Sequence, residues 1–384
     1  MDRMNRIYDA IVIGGGIVGM STAYHLVCGG ASTLLIDRKD TGRATDAGAG
    51  ILSPATNTRD PDPWLRLASL AVKYYPGLIQ NLRAEQDGET GFATCGMMIV
   101  AVSDDERQPF AIARQRIFNR RTRRGEPAAA DLYEISSEEA RSRFPALADV
   151  QGAIYYREAA RVDGRRLTAA LRRAAEARGL AVQHAGVERL HTRNDAVTGV
   201  ITDGRTIPAG RVAIAGGAWS HAFGRQLNVH IPVEPQRGQI IHLGLPATTD
   251  TSSWCIITAL RGHYMVPWPD NRVVVGATRE TGSGFAPRTT AAGVREVLSE
   301  ALRVAPGLAA AEIREIRVGL RPCTEDLLPV LGPVPSTRNV YLATGHGPTG
   351  LQLGPYSGKL IADLMLNKDL TTDIDPYQIT RFLS

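Results

Sequence analysis

The sequence has little of what staples or metallates a small fold. Its 384 residues include four cysteines and eight histidines. Cys28, Cys95, Cys255 and Cys323 are scattered, with no CxxC pair and no zinc-type spacing. A disulfide framework and a structural metal are therefore not expected, and no metal ligands are nominated. No Ser-His-Asp set and no paired-carboxylate pattern stands out. Aromatics make up only 6% of the chain. No charge-free apolar stretch reaches transmembrane length. The N-terminus imitates a signal peptide, with Arg3 and Arg6 before the apolar run Ile7 to Met20. That run contains three consecutive glycines, so strand, turn and helix describe it better. The expected setting is a reducing cytoplasm, with peripheral attachment to an inner membrane as the alternative.

The rest of the composition is that of an ordinary globular protein, 43% apolar and 22% charged. The length suits two or three domains. The net charge of +5 is mostly arginine, densest from Arg114 through Arg124. A nucleic-acid patch would carry aromatic platforms or a recognition motif, and none accompanies this run. A solvated helix face is the expected reading, with no nucleic-acid partner.

Glycine is abundant, at 39 residues. The run Asp9-Ala10-Ile11-Val12-Ile13 has no polar alternation, as befits a parallel strand buried on both faces. It leads into Gly14-Gly15-Gly16-Ile17-Val18-Gly19, then a helical stretch to Cys28, then a strand Ser32–Ile36 tipped by Asp37. This is the strand–GxGxxG–helix–strand–acid order of a dinucleotide cradle. Gly14 permits the turn, Gly16 lets the backbone approach a pyrophosphate, and Gly19 lets helix and strand pack closely. The N–H groups at Ile17 and Val18 face the phosphates at the positive end of the helix. Asp37 stands where a carboxylate accepts from ribose hydroxyls, while Arg38 leaves room for a 2′-phosphate. The motif alone does not separate FAD from NAD.

Further along, Thr45 precedes a run of small residues through Gly50 and Ile51. Val162-Asp163-Gly164 opens an amphipathic helix, Leu167–Arg178, and Gly186-Val187 follows the next strand. Val212–Ala215 enters the turn Gly216-Gly217-Ala218-Trp219. Arg237-Gly238-Gln239-Ile240, the pair Tyr264–Pro267 and Val273–Thr278, the block Gly319-Leu320-Arg321-Pro322, and Gly345-His346-Gly347-Pro348-Thr349-Gly350 come in order. Together these resemble the FAD-dependent D-amino-acid oxidase/glycine oxidase family over most of the chain. The resemblance implies an α/β fold: a doubly wound, Rossmann-like FAD domain (1–88, 146–228 and 326–384). A substrate domain on a mixed or antiparallel sheet (89–145 and 229–325) would be inserted in it.

It also implies roles. FAD would lie against Gly14, Gly16, Ile17, Val18, Gly19, Asp37, Arg38, Thr45, Gly50, Ile51, Val187, Gly216, Trp219, Gly347, Pro348, Thr349 and Gly350. Arg321 would grip a substrate carboxylate through a bidentate fork, which lysine lacks. Tyr264 would hydrogen-bond the same carboxylate, or else serve as a core tyrosine. His346 is either a donor toward the flavin or, as favoured, a buried histidine satisfied by backbone. Pro355 is expected to make the last helix irregular or to delay its start. Related sarcosine oxidases link flavin to a cysteine, but Gly319 rather than Cys323 occupies that place, so a non-covalent flavin is expected. Cys323 would pack beside the pocket, and the loop Asn57–Trp64 would border it.

The implied activity is oxidation of a D-amino acid, glycine or N-alkyl glycine to the imino acid by hydride transfer to flavin N5. A 2-hydroxy-acid dehydrogenase, or a flavoprotein subunit of a larger complex, are the alternatives. Oxygen, a quinone or another protein would each serve as electron acceptor. A homo-oligomer and a hetero-complex both stay open.

Overall fold

The computed structural model describes residues 7–57 and 62–383. Arg3, Arg6 and the part of the Asn57–Trp64 loop between 58 and 61 lie outside the described residues. Two eight-stranded sheets organise the chain. The first is centred on Tyr8–Ile13, which pairs in parallel with Thr33–Ile36 on one side and Arg205–Ile214 on the other. Ala181–Gln183 and Val340–Thr344 extend it in parallel, and Val330–Pro333 closes one edge antiparallel. Ala10 to Ile13 are all buried, which accounts for the unbroken apolar run.

The two faces of this sheet are covered differently. Val12, Leu35 and Ala213 pack against the helices Ile17–Cys28, Gly164–Ala177 and Gly350–Met365. Ile11, Leu34 and Val212 pack against Leu190, Val197 and Val200 of the antiparallel hairpin Arg189–Arg193/Ala196–Thr202. Asp163 caps the helix Gly164–Ala177, accepting from the Arg165 and Arg166 amides at 2.9 and 3.0 Å. The Val-Asp-Gly triplet is thus a helix start whose orphan amides are met by a carboxylate.

The second sheet runs in space from Glu312–Cys323 through Glu234–Gly244, Arg272–Gly276, Tyr264–Trp268, Ile256–Ala259, Met97–Ala101 and Gly152–Tyr156 to Leu132–Ile135. Its one parallel pairing is Met97–Ala101 with Ile256–Ala259, so the sheet is mixed. Val297, Ala301 and Val304 of the helix Ala291–Val304 pack on it. Gly152–Tyr156 pairs in the second sheet, between Met97–Ala101 and Leu132–Ile135. Ladder pairing and the burial of Ala153, Ile154 and Tyr155 decide its place, and neither is encoded in a local motif.

The arginine-rich segment forms the helix Arg107–Arg124. Arg114 pairs with Glu134, Arg124 pairs with Asp62, and Arg121 donates to the Leu132 carbonyl, as a solvated face against the rim of the sheet would. No helix of the described residues is long and apolar enough to cross a membrane.

The last helix departs from expectation. It starts at Gly350 and continues through Pro355 to Met365. Proline has no N–H, so the carbonyl four residues earlier, that of Leu351, loses its helical donor. The Tyr75 hydroxyl supplies the missing hydrogen bond. The Pro355 carbonyl in turn accepts from Ser21 Oγ at 2.7 Å. Long-range side chains repair the break, so neither a late start nor an interruption is needed.

Candidate active site and cofactor cleft

A cavity of about 1290 Å³ runs from the C-terminal ends of the parallel strands to the second sheet. That exceeds the ~300–1,000 Å³ usual for a small-ligand site and suits an extended dinucleotide with a substrate beside it. At one end lie Gly14, Gly15 and Gly16, then Ile17 and Val18. Gly14 adopts φ +105°, and a Cβ there would stand 2.4 Å from the Ala215 carbonyl oxygen. The turn is therefore open only to glycine. Thr45 Oγ1 accepts from the Ile17 amide at 3.0 Å, which leaves its own hydroxyl proton for an acceptor in the cavity. Asp37 lines the same wall, its Oδ2 held by Arg43 Nη1 at 2.9 Å. Arg38 is engaged with Asp40 at 2.9 Å.

Gly50, Ile51, Val187, Gly216 and Trp219 also line the cavity, as do Gly347, Pro348, Thr349 and Gly350. Gly19 does not. A Cβ on it would fall 2.0 Å from the Gly14 carbonyl oxygen, so its task is close packing of helix on strand rather than ligand contact. The Gly347–Gly350 turn leads straight into the last helix. Thr349 Oγ1 donates to the His346 carbonyl at 3.0 Å and accepts from Trp64 Nε1 at 3.2 Å. Asn57 and Trp64 reach the wall, and Cys323 lies on it. Burial raises the Cys323 pKa, so it stays a thiol. Gly319 packs on Ala44 and Ala47.

His346 differs from expectation. It is buried, but its Nε2 has no hydrogen-bond partner among the described residues. Burial pushes its pKa down to about 3, so the ring is neutral. Gln352, in the first turn of the helix, presents a second unpartnered buried polar atom, Nε2, while its Oε1 accepts from the Ser53 amide at 2.8 Å. These orphaned polar atoms, the bare Gly14–Gly16 backbone and the Thr45 hydroxyl fit a polar, phosphate-bearing cofactor.

At the other end the second sheet brings Arg321 and Tyr264 to one wall. Pairing of Glu234–Gly244 with Glu312–Cys323 sets Gln236 opposite Arg321. Arg321 Nη1 donates to the Thr278 carbonyl at 2.9 Å and to Gln236 Oε1 at 3.4 Å, both neutral acceptors. By contrast, Arg38, Arg43 and Arg261, also on the wall, are held by carboxylates. Desolvation raises the Tyr264 pKa, and the charges of Arg321 and Arg279 oppose it. Tyr264 is therefore a neutral phenol. His263 lies off this wall, within 3.4 Å of Glu296.

Sequence reasoning missed Gln236, Arg279, Gln352 and Phe285. Gln236 lies within the strand Glu234–Gly244 and Arg279 three residues past Arg272–Gly276, and only the register shows which neighbours face the cavity. Phe285 contacts the Trp219 and His221 rings at centroid distances of 5.6 and 5.4 Å from a glycine-rich loop. No local pattern marks it.

The model of the DAO family, FAD dependent oxidoreductase, matches residues 9–364. The chain belongs to this family of FAD-dependent oxidoreductases. It is 39% identical over 368 residues to an uncharacterized oxidoreductase, YurR, of Bacillus subtilis (strain 168), covering 96% of this chain and 97% of that one. It is 30% identical to the glycine oxidase of Geobacillus kaustophilus (strain HTA426), covering 99% and 98%. Among solved structures, iminodiacetate oxidase from Chelativorans sp. BNC1 superposes with a TM-score of 0.91 at 37% identity, covering 96% and 98%. The glycine oxidase structure from Geobacillus kaustophilus gives 0.88 at 28%, covering 98% and 99%. The fold expected for an FAD enzyme of this family is the one found, and the cofactor is FAD.

Proposed function

We propose that this DAO-family oxidoreductase oxidises the amine of a small amino acid (a D-amino acid, glycine or an N-alkyl glycine) to the imino acid. The observation that carries this reading is Arg321. Its guanidinium lies on the cavity wall beside Tyr264, anchored by neutral groups, and a planar carboxylate is what its fork fits. The names of two relatives, glycine oxidase and iminodiacetate oxidase, support it, since glycine and iminodiacetate are both amines bearing a carboxylate.

When bound, FAD supplies at flavin N5 the two-electron acceptor that amine oxidation requires. Gly14, Gly16, Ile17 and Val18, Asp37 and Arg38, Thr45, Gly50 and Ile51, Val187, Gly216, Trp219 and the Gly347–Gly350 turn would hold it, without a covalent bond. The chain's own work is placement. Arg321 and Tyr264 fix the carboxylate, and so fix which C–H bond faces the cofactor. The apolar share of the wall desolvates the amine and favours its neutral form, from which a hydride leaves Cα and a proton leaves nitrogen. Tyr264 keeps its proton and burial lowers the basicity of His346, so neither acts as a strong base. Hydrolysis of the imino acid then gives the keto acid and ammonia or an amine.

The test is anaerobic mixing of the FAD-loaded protein with glycine, N-methylglycine and several D-amino acids. Loss of the oxidised flavin absorbance is expected with at least one. A flavin bleached by 2-hydroxy acids and by none of the amines would overturn the reading.

A further inference from the structure

The block Arg237-Gly238-Gln239 presents different chemistry on the two faces of one strand, Glu234–Gly244. Side chains alternate along a strand, so Gln236 and Gly238 share one face, and Arg237 and Gln239 the other. Gln236 and Gly238 line the cavity. A Cβ on Gly238 would stand 2.3 Å from Arg321 Nη2 and 2.4 Å from its Cζ, so the guanidinium lies directly against this glycine. Arg237 and Gln239 are buried and off that wall.

On that second face the Glu280 carboxylate gathers four donor bonds. Its Oε2 accepts from Arg237 Nε at 3.0 Å and Nη2 at 2.5 Å, and its Oε1 from Gln239 Nε2 at 2.6 Å and Thr278 Oγ1 at 2.8 Å. Arg237 and Glu280 also exchange backbone hydrogen bonds, at 3.1 and 2.9 Å. Burial alone would raise the Glu280 pKa, but these donors hold it below the usual carboxylate range, so it is charged. Thr278 is fully buried and joins this hub to the site. Its hydroxyl donates to Glu280 and accepts from the Gln239 amide at 3.0 Å, while its carbonyl accepts from Arg321 at 2.9 Å. Each bond of such a chain polarises and stiffens the next.

We propose that Glu280 is a positioning residue, which aims Arg321 at a substrate carboxylate by way of the Thr278 hydroxyl and carbonyl. The inference rests on the carboxylate-binding part of the reading above. It goes beyond that reading by placing the control of Arg321 in an ion pair off the cavity wall. The fold offers a physical reason. A carboxylate in direct contact with Arg321 would compete with the substrate for its fork. Here the Glu280 charge is met by Arg237, and a neutral carbonyl does the aiming. The Arg321 guanidinium is thus held in place while its charge is left for a ligand.

The probe is propionate, a carboxylate with no amine to oxidise, titrated into the FAD-loaded protein while the flavin absorbance is followed. Arg321→Ala should weaken its apparent Kd. Glu280→Gln and Thr278→Val should each weaken it roughly 10-fold, whereas Thr278→Ser, which keeps the hydroxyl, should stay near wild type. In the Arg321→Ala background neither Glu280→Gln nor Thr278→Val should have a further effect, a pattern that a general loosening of the fold would not reproduce. Undiminished binding in Thr278→Val, or equal losses with and without Arg321, overturns the proposal, even if Glu280→Gln fails to fold. If propionate binds wild type and Arg321→Ala alike, the carboxylate grip itself falls, and the role of Glu280 falls with it. Bleaching by the amine panel is a separate result, so amine oxidation stands or falls independently of Glu280.

Discussion

Arg321 donates to the Thr278 carbonyl at 2.9 Å, across the strand Glu234–Gly244 that lies between Glu312–Cys323 and Arg272–Gly276. The bond fixes the guanidinium over the wall of the cavity and leaves other N–H groups of the fork for a ligand. Arg321→Ala should raise KM for carboxylate-bearing amines by about 2–4 kcal/mol equivalent, roughly 30- to 800-fold. Arg321→Lys should recover only part, because a point charge cannot make two parallel bonds. Steady-state kinetics check this. An unchanged KM in both variants would remove Arg321 from carboxylate binding.

Thr45 joins the first helix to the cofactor cleft through its bond from the Ile17 amide. Thr45→Val keeps the shape and removes the hydroxyl. FAD affinity of the apoprotein should fall about 5- to 10-fold, as the loss of one or so kcal/mol implies. Fluorescence titration with FAD measures it. Acid precipitation of the wild type should also release the flavin into the supernatant, whereas flavin retained in the pellet would contradict non-covalent binding.

Tyr75 and Pro355 form a coupled pair through the Leu351 carbonyl. Tyr75→Phe should destabilise the protein by about 1–3 kcal/mol, since a buried carbonyl loses its donor. In the Pro355→Ala background an amide can take over, so the same change should cost less. Urea denaturation of the four proteins in the cycle tests this. Equal costs in both backgrounds would show that the two sites are independent.

Three histidines tie stability to pH. Burial pushes the pKa of His25 and His242 to about 4 and that of His346 to about 3. All three folded values lie below the unfolded value near 6.5, so the unfolded chain binds more protons between them. Stability is then fully present above about pH 6.5 and falls as pH drops toward 3–4. The slope is up to roughly 1.4 kcal/mol per pH unit for each histidine. Denaturant midpoints measured from pH 7.5 to pH 4.5 should decline, and His346→Gln should flatten the curve. A flat wild-type profile would contradict the burial of these rings as neutral groups.

What the sequence revealed was whatever is local. The cradle from Ile13 to Asp37 was legible because turn, helix start and acid-tipped strand each follow from neighbouring residues. Arg321 and Tyr264 were found through the blocks that carry them. Arg279 and Gln352 were not, because their facing depends on strand register and on a helix entry set by distant contacts. The course of the last helix through Pro355 was hidden for the same reason: its remedy, Tyr75, lies far away in sequence. The place of the strand Gly152–Tyr156 in the second sheet was hidden as well, because ladder partners are chosen by the assembled sheet. Gly19 was legible as the packing position of the motif, and a Cβ on it would indeed fall 2.0 Å from the Gly14 carbonyl oxygen.

The most direct test of the central claim is anaerobic reduction of the bound flavin by carboxylate-bearing amines, followed in wild type and in Arg321→Ala. Bleaching should be rapid in wild type, and in the variant should need a far higher substrate concentration. A flavin that no amine reduces, or one that the amine reduces as readily in the variant at the same concentration, would contradict the role of Arg321.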